Sequence, residues 1–402
     1  MQDNLADIKI VDFSQVLAGP FATSLLAMQG ARVIKIEQPG GGDQARMMMA
    51  DGIHAEHGVS PLFIGVNIGK RSIALDLKHP SARGVVERLL ADADVVVQNF
   101  KAGVIDRLGF GYEAVKAIRP NIVYCAISGY GQEGPKSDAA AYDGAIQAAA
   151  GMMSTTGTPD GGPVRTGYTV VDLSTGLTGA YAIMSALYRR KATGEGQYID
   201  LAMFDTALTM MNSLVSMHFQ TGHVPVLRGN SSPTLQATAD TFPTADGWLQ
   251  ISAITNRVVE KLCRALGHPE WFQDERYASD EGRIQHRDTV REEISAILRQ
   301  ENSEVWIERL RTAGVPTAPV ATLAQALSQP QLDHRQILMQ LAAPSGLGGM
   351  VTVTGSPFKS TAGTPGTDRP APTLGQHTDE ILDEHGYDAA AIAALRADSV
   401  VA

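Results

Sequence analysis

Through the first half of the chain, short apolar runs alternate with longer amphipathic stretches. The runs Lys9–Phe13, Arg32–Glu37, Ser72–Leu77, Asp94–Gln98 and Asn121–Ile127 have strand length and are rich in Val and Ile. Between them, Gly19–Gln29, Pro80–Ala91 and Tyr112–Ile118 repeat apolar positions at helical spacing, as Phe21, Leu25, Leu26 and Met28 do. Strands alternating with helices predict an α/β fold: a parallel sheet with helices on both faces. The strongest helical pattern is Leu173–Tyr188, where Leu173, Leu177, Ala180, Tyr181, Met184, Leu187 and Tyr188 share one face. It runs into Arg189, Arg190 and Lys191 and then Gly194, as a helix C-terminus should. A Met-rich helix is predicted over Leu201–Gln220, with Met203, Met210, Met211 and Met217 as core packing rather than a metal box. Segment 221–245 is rich in Gly, Pro, Ser and Thr and reads as a crossing. A smaller α+β unit follows, with a strand at Trp248–Ser252 and helices at Asn256–Leu266, Arg283–Arg299 and Ser303–Ala313. Residues 344–375 are again Gly- and Pro-rich, which suggests a second crossing, back toward the first domain.

Composition narrows the class. A chain of 402 residues exceeds one ordinary core, so two domains are expected. Hydrophobic residues make up 44% and charged ones 19%, the balance of a soluble globular protein. A formal net charge of −10 argues against nucleic acid or a membrane surface as partner. Cys125 and Cys263 are far apart, and Cys125 sits in an apolar strand run, so neither a disulfide framework nor a zinc site is expected. The N-terminus lacks the basic and apolar regions of a secretory signal. No apolar stretch free of charge reaches about 18 residues. The cytoplasm is the expected compartment.

Several motifs fail on context. Gly129-Tyr130-Gly131-Gln132-Glu133-Gly134 matches G-x-G-x-x-G after a strand, but Pro135, Lys136, Ser137 and Asp138 follow where a helix should open. The same stretch misses a phosphate loop because Pro135 separates Gly134 from Lys136-Ser137. His54 and His57 have no third ligand placed with them, and no G-x-S-x-G nucleophile elbow occurs. No metal, nicotinamide or flavin is therefore expected. One arrangement is more suggestive. Lys78 lies just past one predicted strand, and Asn99, Phe100 and Lys101 follow another, with Arg107 close behind. The carboxyl ends of parallel strands share one edge, where ligands bind. Cations for phosphates and a ring at Phe100 suit a nucleotide-like ligand there. Asp172, in Thr-Val-Val-Asp-Leu-Ser-Thr-Gly, precedes the strongest helix and by local pattern reads as a helix cap.

An ordered series of motifs gives the chain a resemblance. The series is Val11-Asp12-Phe13 to Ala18-Gly19-Pro20; Gly30-Ala31-Arg32-Val33-Ile34-Lys35-Ile36-Glu37 with Gly42-Asp43 and Arg46; Asn67 with Lys70-Arg71-Ser72-Ile73; Gln98-Asn99-Phe100 with Gly103; Gly129-Tyr130-Gly131 with Gly134-Pro135; and Asp172 with Thr175-Gly176. It continues through Gly194-Glu195-Gly196-Gln197, Asp246-Gly247-Trp248, Gly314-Val315-Pro316 and Leu374-Gly375-Gln376-His377-Thr378. Over its whole length the sequence resembles the class III coenzyme A transferases, the formyl-CoA transferase and carnitine CoA-transferase family. That resemblance implies a large Rossmann-like parallel-sheet domain built from both chain ends and a smaller α+β domain. The corresponding boundaries are 1–200, a linker 201–225, the small domain 226–325, a linker 326–345, and 346–402 returning to the large domain. It also implies a homodimer of two chains threaded as interlocked rings.

The resemblance makes Asp172 the catalytic nucleophile. An acyl-CoA donates coenzyme A to a free carboxylic acid through an aspartyl anhydride and an aspartyl-CoA thioester. It places CoA against Val16, Leu75, Lys78, Asn99, Phe100, Lys101, Arg107 and Tyr142, and Gln15 is a candidate donor to the thioester carbonyl. Related racemases that move an α-proton carry a His where Tyr142 stands. A phenol, ordinarily titrating near pH 10, is a poor base at neutral pH, which disfavours that alternative. A non-catalytic CoA-binding protein is the other alternative, and an intact Asp172 argues against it. The expected glycine-rich flap near 228–237 holds only Gly229. This argues against oxalate with formyl-CoA and for a larger acid, such as succinate or a C5 dicarboxylate.

Overall fold

The computed structural model describes residues 4–402, which form two units. The first takes the chain up to Ser154, then Val164–Pro225 and Asp333–Ala402; the second takes Thr155–Pro163 and Val226–Leu332. Residues 155–163, placed with the large domain by the resemblance, thus cluster with the second unit. Segment 201–225, expected as a linker, belongs to the first and is largely helical.

The first unit is organised by six parallel strands: β1 (Lys9–Asp12), β2 (Arg32–Glu37), β3 (Lys70–Ala74), β4 (Val95–Gln98), β5 (Val123–Ser128) and β6 (Gln197–Ala202). Their order is β3-β2-β1-β4-β5-β6, so the sheet reverses direction between β1 and β4. Side-chain alternation assigns each strand to two cores. Val123, Cys125 and Ile127 of β5 join Ile10, Val33 and Val97 on one face. Tyr124 and Ala126 join Val11, Val96 and Leu89 on the other. β6 is absent from the sequence pattern because it is an edge strand in which only Leu201 and Ala202 are buried. Gly196 admits it beside β5, since a Cβ there would lie 2.1 Å from the Ile122 carbonyl oxygen.

Helices α1 (Ala18–Ala27), α2 (Ala82–Ala91), α3 (Tyr112–Ile118), α4 (Asp143–Ala149) and α5 (Val170–Thr193) accompany the sheet. α6 (Met203–Met210) and α7 (Asn212–Thr221) replace the single helix expected over 201–220, with a break at Met211. Of the methionines expected in the core, only Met203 is buried; Met210 is 58% exposed. An apolar stripe ordinarily faces the core, yet of the predicted one α5 turns only Leu187 and Ala180 to the core and leaves its largest side chains out. It buries Val171, Ser174, Thr175, Gly176, Gly179, Ile183, Ala186 and Leu187 and exposes Leu177, Tyr181, Met184 and Tyr188. Close approach to α1 explains the choice of residues. A Cβ on Gly176 would sit 2.8 Å from the Ala18 carbonyl oxygen and 2.9 Å from the Phe21 ring. By length and composition alone α5 could cross a membrane, but its small-residue face is packed on α1 and the sheet.

The returning C-terminal segment closes the exposed edge of β3, which would otherwise offer unpaired backbone groups. Ser72 N–H donates to His377 Nδ1 at 3.2 Å, and Ala74 N–H donates to Thr378 Oγ1 at 3.2 Å. His377 N–H returns a bond to the Ser72 carbonyl at 3.0 Å. The Leu374–Thr378 motif therefore has a structural duty. Ile381, Leu382 and Val400 then enter the core beside α2.

In the second unit, β7 (Thr241–Pro243), β8 (Trp248–Ile251) and β9 (Thr317–Pro319) form an antiparallel sheet in the order β9-β8-β7. Helices Asn256–Ala265, Arg287–Leu298 and Ser303–Ala313 pack on it around Trp306, Phe242 and Leu310.

The α1–α5 contact makes a direct prediction. Gly176→Val forces side-chain atoms into α1 and should cost at least about 1–3 kcal/mol in urea unfolding, with little change in m. Unchanged stability would contradict the close helix crossing.

Candidate active site

The sheet reverses direction between the carboxyl ends of β1 and β4, and a cavity of about 380 Å³ opens there. Gln15, Val16, Asn99, Phe100, Lys101, Tyr142 and Asp172 all line it, with Ala18, Gly129 and Met203. The crevice between the two strands is bridged by one side chain. Asn99 Oδ1 accepts from Gln15 N–H at 2.8 Å, and Asn99 Nδ2 donates to the Gln15 carbonyl at 2.7 Å. Val16 holds a left-handed backbone with φ 67°, and its N–H donates to Asp43 Oδ1 at 2.9 Å. Gly19 is needed because a Cβ there would strike Ser14 Cβ at 2.3 Å.

Asp172 lies in the first turn of α5, and it is not the cap. The N-cap is Thr169, without a side-chain bond. The cap comes from α4 instead: Asp143 Oδ2 accepts from Val171 N–H at 2.7 Å and from Asp172 N–H at 3.1 Å. Asp143 Oδ1 accepts from Gln147 Nε2 at 2.5 Å, and Gln147 is tied to Thr166, which leads into α5. The Asp172 carboxyl is left free to face the cavity. Burial, and secondarily the Asp143 charge, push it up to about 7. The helix terminus favours the ionised form by only about 0.3–1 kcal/mol and does not offset this.

Three expected contacts lie outside the cavity. Leu75 has no exposed side chain; it is part of the core, and its N–H donates to the Glu37 carbonyl at 2.7 Å. Lys78 stands exposed in the turn after β3, and Arg107 ends the short helix Val104–Arg107 after β4, also exposed. Both sit on the same carboxyl edge of the sheet as the cavity, beyond its lining. The Gly129–Gly134 loop opens no helix, as α4 begins only at Asp143. Its first glycine packs against Ala141, where a Cβ would fall 2.2 Å away. A larger cavity, of about 480 Å³, lies at the opposite edge of the sheet. There Arg71 is committed to Glu380 and Glu384 at 2.8 and 2.7 Å.

The description "CoA-transferase family III" fits residues 5–378. The chain belongs to family III of the CoA-transferases. It is 35% identical to a mouse succinyl-CoA:glutarate CoA-transferase, covering 99% of this chain and 90% of the relative. It is 37% identical to a succinyl-CoA:mesaconate CoA-transferase of Haloarcula hispanica, over 95% and 96% of the two chains. Among solved structures, a CAIB/BAIF family protein from Brucella suis superposes with a TM-score of 0.85 at 34% identity, covering 96% of this chain and all of that one. The transferase is thus an enzyme of CoA exchange, with a parallel-sheet unit of the fold described above.

The raised Asp172 pKa has a consequence for stability. Its folded value lies above the ordinary 3.8, so the carboxyl favours folding most below about pH 4, and that contribution is lost as pH rises through about 7. Replacing Asp172 with Asn should therefore leave urea stability unchanged near pH 4 and raise it at pH 8. The expected gain is roughly 2–4 kcal/mol, since partial exposure discounts the full shift. A difference independent of pH would contradict this electrostatic placement.

Proposed function

We propose that Asp172 is the nucleophile of a CoA transfer between an acyl-CoA and a dicarboxylic acid of four or five carbons. The observation that carries this reading is that Asp143 takes over the capping of α5 and leaves the Asp172 carboxylate facing the Gln15–Asn99 crevice. The ionised carboxylate attacks the thioester carbonyl; the C–S bond breaks, giving a mixed anhydride and a CoA thiolate. The thiolate attacks the aspartyl carbonyl and expels the donor acid, leaving an aspartyl-CoA thioester. The acceptor carboxylate attacks that thioester, forming a second anhydride and freeing the thiolate again. Attack of the thiolate on the acceptor acyl carbon then releases the new acyl-CoA and restores Asp172. Each intermediate keeps the acyl group activated, so no nucleotide is spent.

The residues around the cavity suit these steps. Gln15 would donate its side-chain amide to the developing oxyanion, and Leu17 and Ala18 at the start of α1 line the same cavity. Asn99, Phe100, Lys101 and Tyr142 would hold the CoA, with Lys78 and Arg107 meeting its phosphates along the sheet edge. The dicarboxylate preference is supported by the activities of the glutarate and mesaconate relatives and by the single glycine in the 228–237 stretch.

We also infer a homodimer. α5 leaves Tyr181 75% and Tyr188 80% exposed, and α7 buries no residue. Both belong to one unit, so a second copy of the chain is the natural cover for an apolar face of this kind. The chain leaves the first unit and re-enters it at Asp333, which supplies the passages that interlocked rings would need.

Four outcomes test these readings. Asp172→Ala should lose transfer by at least about 10³-fold while binding CoA normally by calorimetry. Hydroxylamine or borohydride during turnover should mark Asp172 of the active enzyme, and succinyl-CoA with C5 diacids should outrun oxalate in a donor–acceptor panel. Label on another residue, or a preference for oxalate or monocarboxylates, would overturn the respective claim. Separately, Tyr181→Glu combined with Tyr188→Glu should convert dimer to monomer in sedimentation equilibrium; an unchanged mass would rule out this face as the interface.

A further inference from the structure

The backbone from Ser14 to Val16 is held almost entirely by side chains. Ser14 N–H donates to Asp12 Oδ1 at 2.9 Å, and the Ser14 carbonyl accepts from Lys35 Nζ at 2.6 Å. Asn99 satisfies both backbone groups of Gln15, and Asp43 takes Val16 N–H. Asp43 is itself fixed from three sides. Its Oδ1 also accepts from Ala45 N–H at 2.9 Å, its Oδ2 pairs with Lys35 at 2.8 Å, and its own N–H donates to Glu37 Oε2 at 3.0 Å. Both members of the Asp43–Lys35 pair are fully buried.

Val16 is the residue this clamp acts on. A β-branched residue at φ 67° is a genuine outlier, sustained only where the surroundings over-determine it. No glycine or asparagine relieves it. Relaxing Val16 to negative φ would swing its N–H off Asp43 and rotate the adjoining peptide, the one that carries Gln15. Strain of this kind, facing a cavity and enforced by a buried ion pair, has a use when the neighbouring side chain must be aimed.

We propose that Asp43 is a positioning residue for the transfer reaction. It holds Val16 in its left-handed state and so fixes the direction of the Gln15 side chain relative to Asp172. The proposal rests on the reading of Asp172 as nucleophile and Gln15 as donor to the oxyanion. The clamp stands ready before substrate arrives, which is what preorganised stabilisation of a developing charge requires. A displacement of about 1 Å at such a donor is enough to cost up to 10²-fold in rate.

The decisive variant is Val16→Gly, because Asp43→Asn also strips Lys35 of its counter-charge. Glycine accepts φ 67° without strain and equally accepts other conformations. The fold should be intact, with a melting temperature no lower than that of the wild type, while kcat falls roughly ten-fold at saturating acyl-CoA. Gln15→Ala should lower kcat by roughly 10²-fold. In the double variant the Val16→Gly loss should vanish, since the turn then has no donor to aim. Asp43→Asn, where it folds, should behave as Val16→Gly does. A full-rate Val16→Gly, a full-rate Gln15→Ala, or losses that multiply in the double variant would each overturn the positioning role. Those results leave the nucleophile reading standing if Asp172→Ala is inactive. Retained transfer in Asp172→Ala would remove that reading on its own.

Discussion

The first unit depends on keeping six charges out of water beneath the edge that carries the candidate site. Asp12, Glu37 and Asp43 face Lys35, Arg46 and Lys70, and all six side chains are buried. The pairs close at 2.7 Å for Arg46–Glu37, 2.8 Å for Lys35–Asp43 and 3.0 Å for Lys70–Asp12. Burial alone would raise the Asp12 carboxyl, but Lys70, Lys35 and the hydroxyls of Ser14 and Thr23 outweigh it and hold it at about 2. Lys70 shows the opposite balance: burial wins over Asp12 and brings it down to about 8. A well-packed apolar cluster could be at least as stable as such a network, whereas removing one partner costs about 3–5 kcal/mol. The network is therefore poorly explained as a source of stability. Its geometry accounts for it better, because charged groups can direct loop backbone through hydrogen bonds and methyl groups cannot. Glu37, Asp43 and Lys35 reach, in successive bonds, the turn that borders the cavity.

A second constraint acts at the start of α5. A helix terminus with orphan amides would ordinarily recruit its own first-turn carboxylate. Supplying the cap from Asp143 instead leaves the Asp172 carboxyl free for the nucleophilic role proposed for it. It also brings two carboxyls together, which together with burial raises Asp172 into the neutral range. A carboxylate in that range is a stronger base than an ordinary one, which suits the proposed attack on an acyl carbon. The stability given up by ionised Asp172 is the kind of local cost that functional sites carry.

What could be read beforehand follows from the range of each interaction. Asn99, Phe100 and Lys101 were legible because each directly follows a strand, and strand ends share an edge. The strands β2, β4 and β5 were legible from apolar runs of the right length. Lys35 and Glu37 carried a signal in hindsight: Val33-Ile34-Lys35-Ile36-Glu37 puts charges inside an apolar strand, and such charges must find partners. Asp143 was hidden because its ligands, the amides of Val171 and Asp172, lie far along the chain. The only local hint was Gln147, one helical turn on. β6 was lost to its thin edge-strand pattern.

The orientation of α5 shows why periodicity gives a face and not a direction. Leu177, Tyr181, Met184 and Tyr188 form the more apolar stripe, and burial of that stripe would release more apolar surface. The protein nonetheless buries the Gly, Ser and Thr face, because only small residues let α5 approach α1 closely enough for Gly176 to meet the Ala18 carbonyl. That approach sets the start of α1, which follows the Gln15–Val16 turn, against the start of α5, which carries Asp172. Turning the large stripe inward would push the two helix starts apart by the depth of a side chain and separate the groups that line the cavity. The apolar stripe is left exposed, so the geometry of the candidate site and the exposure of that face arise from one choice of packing.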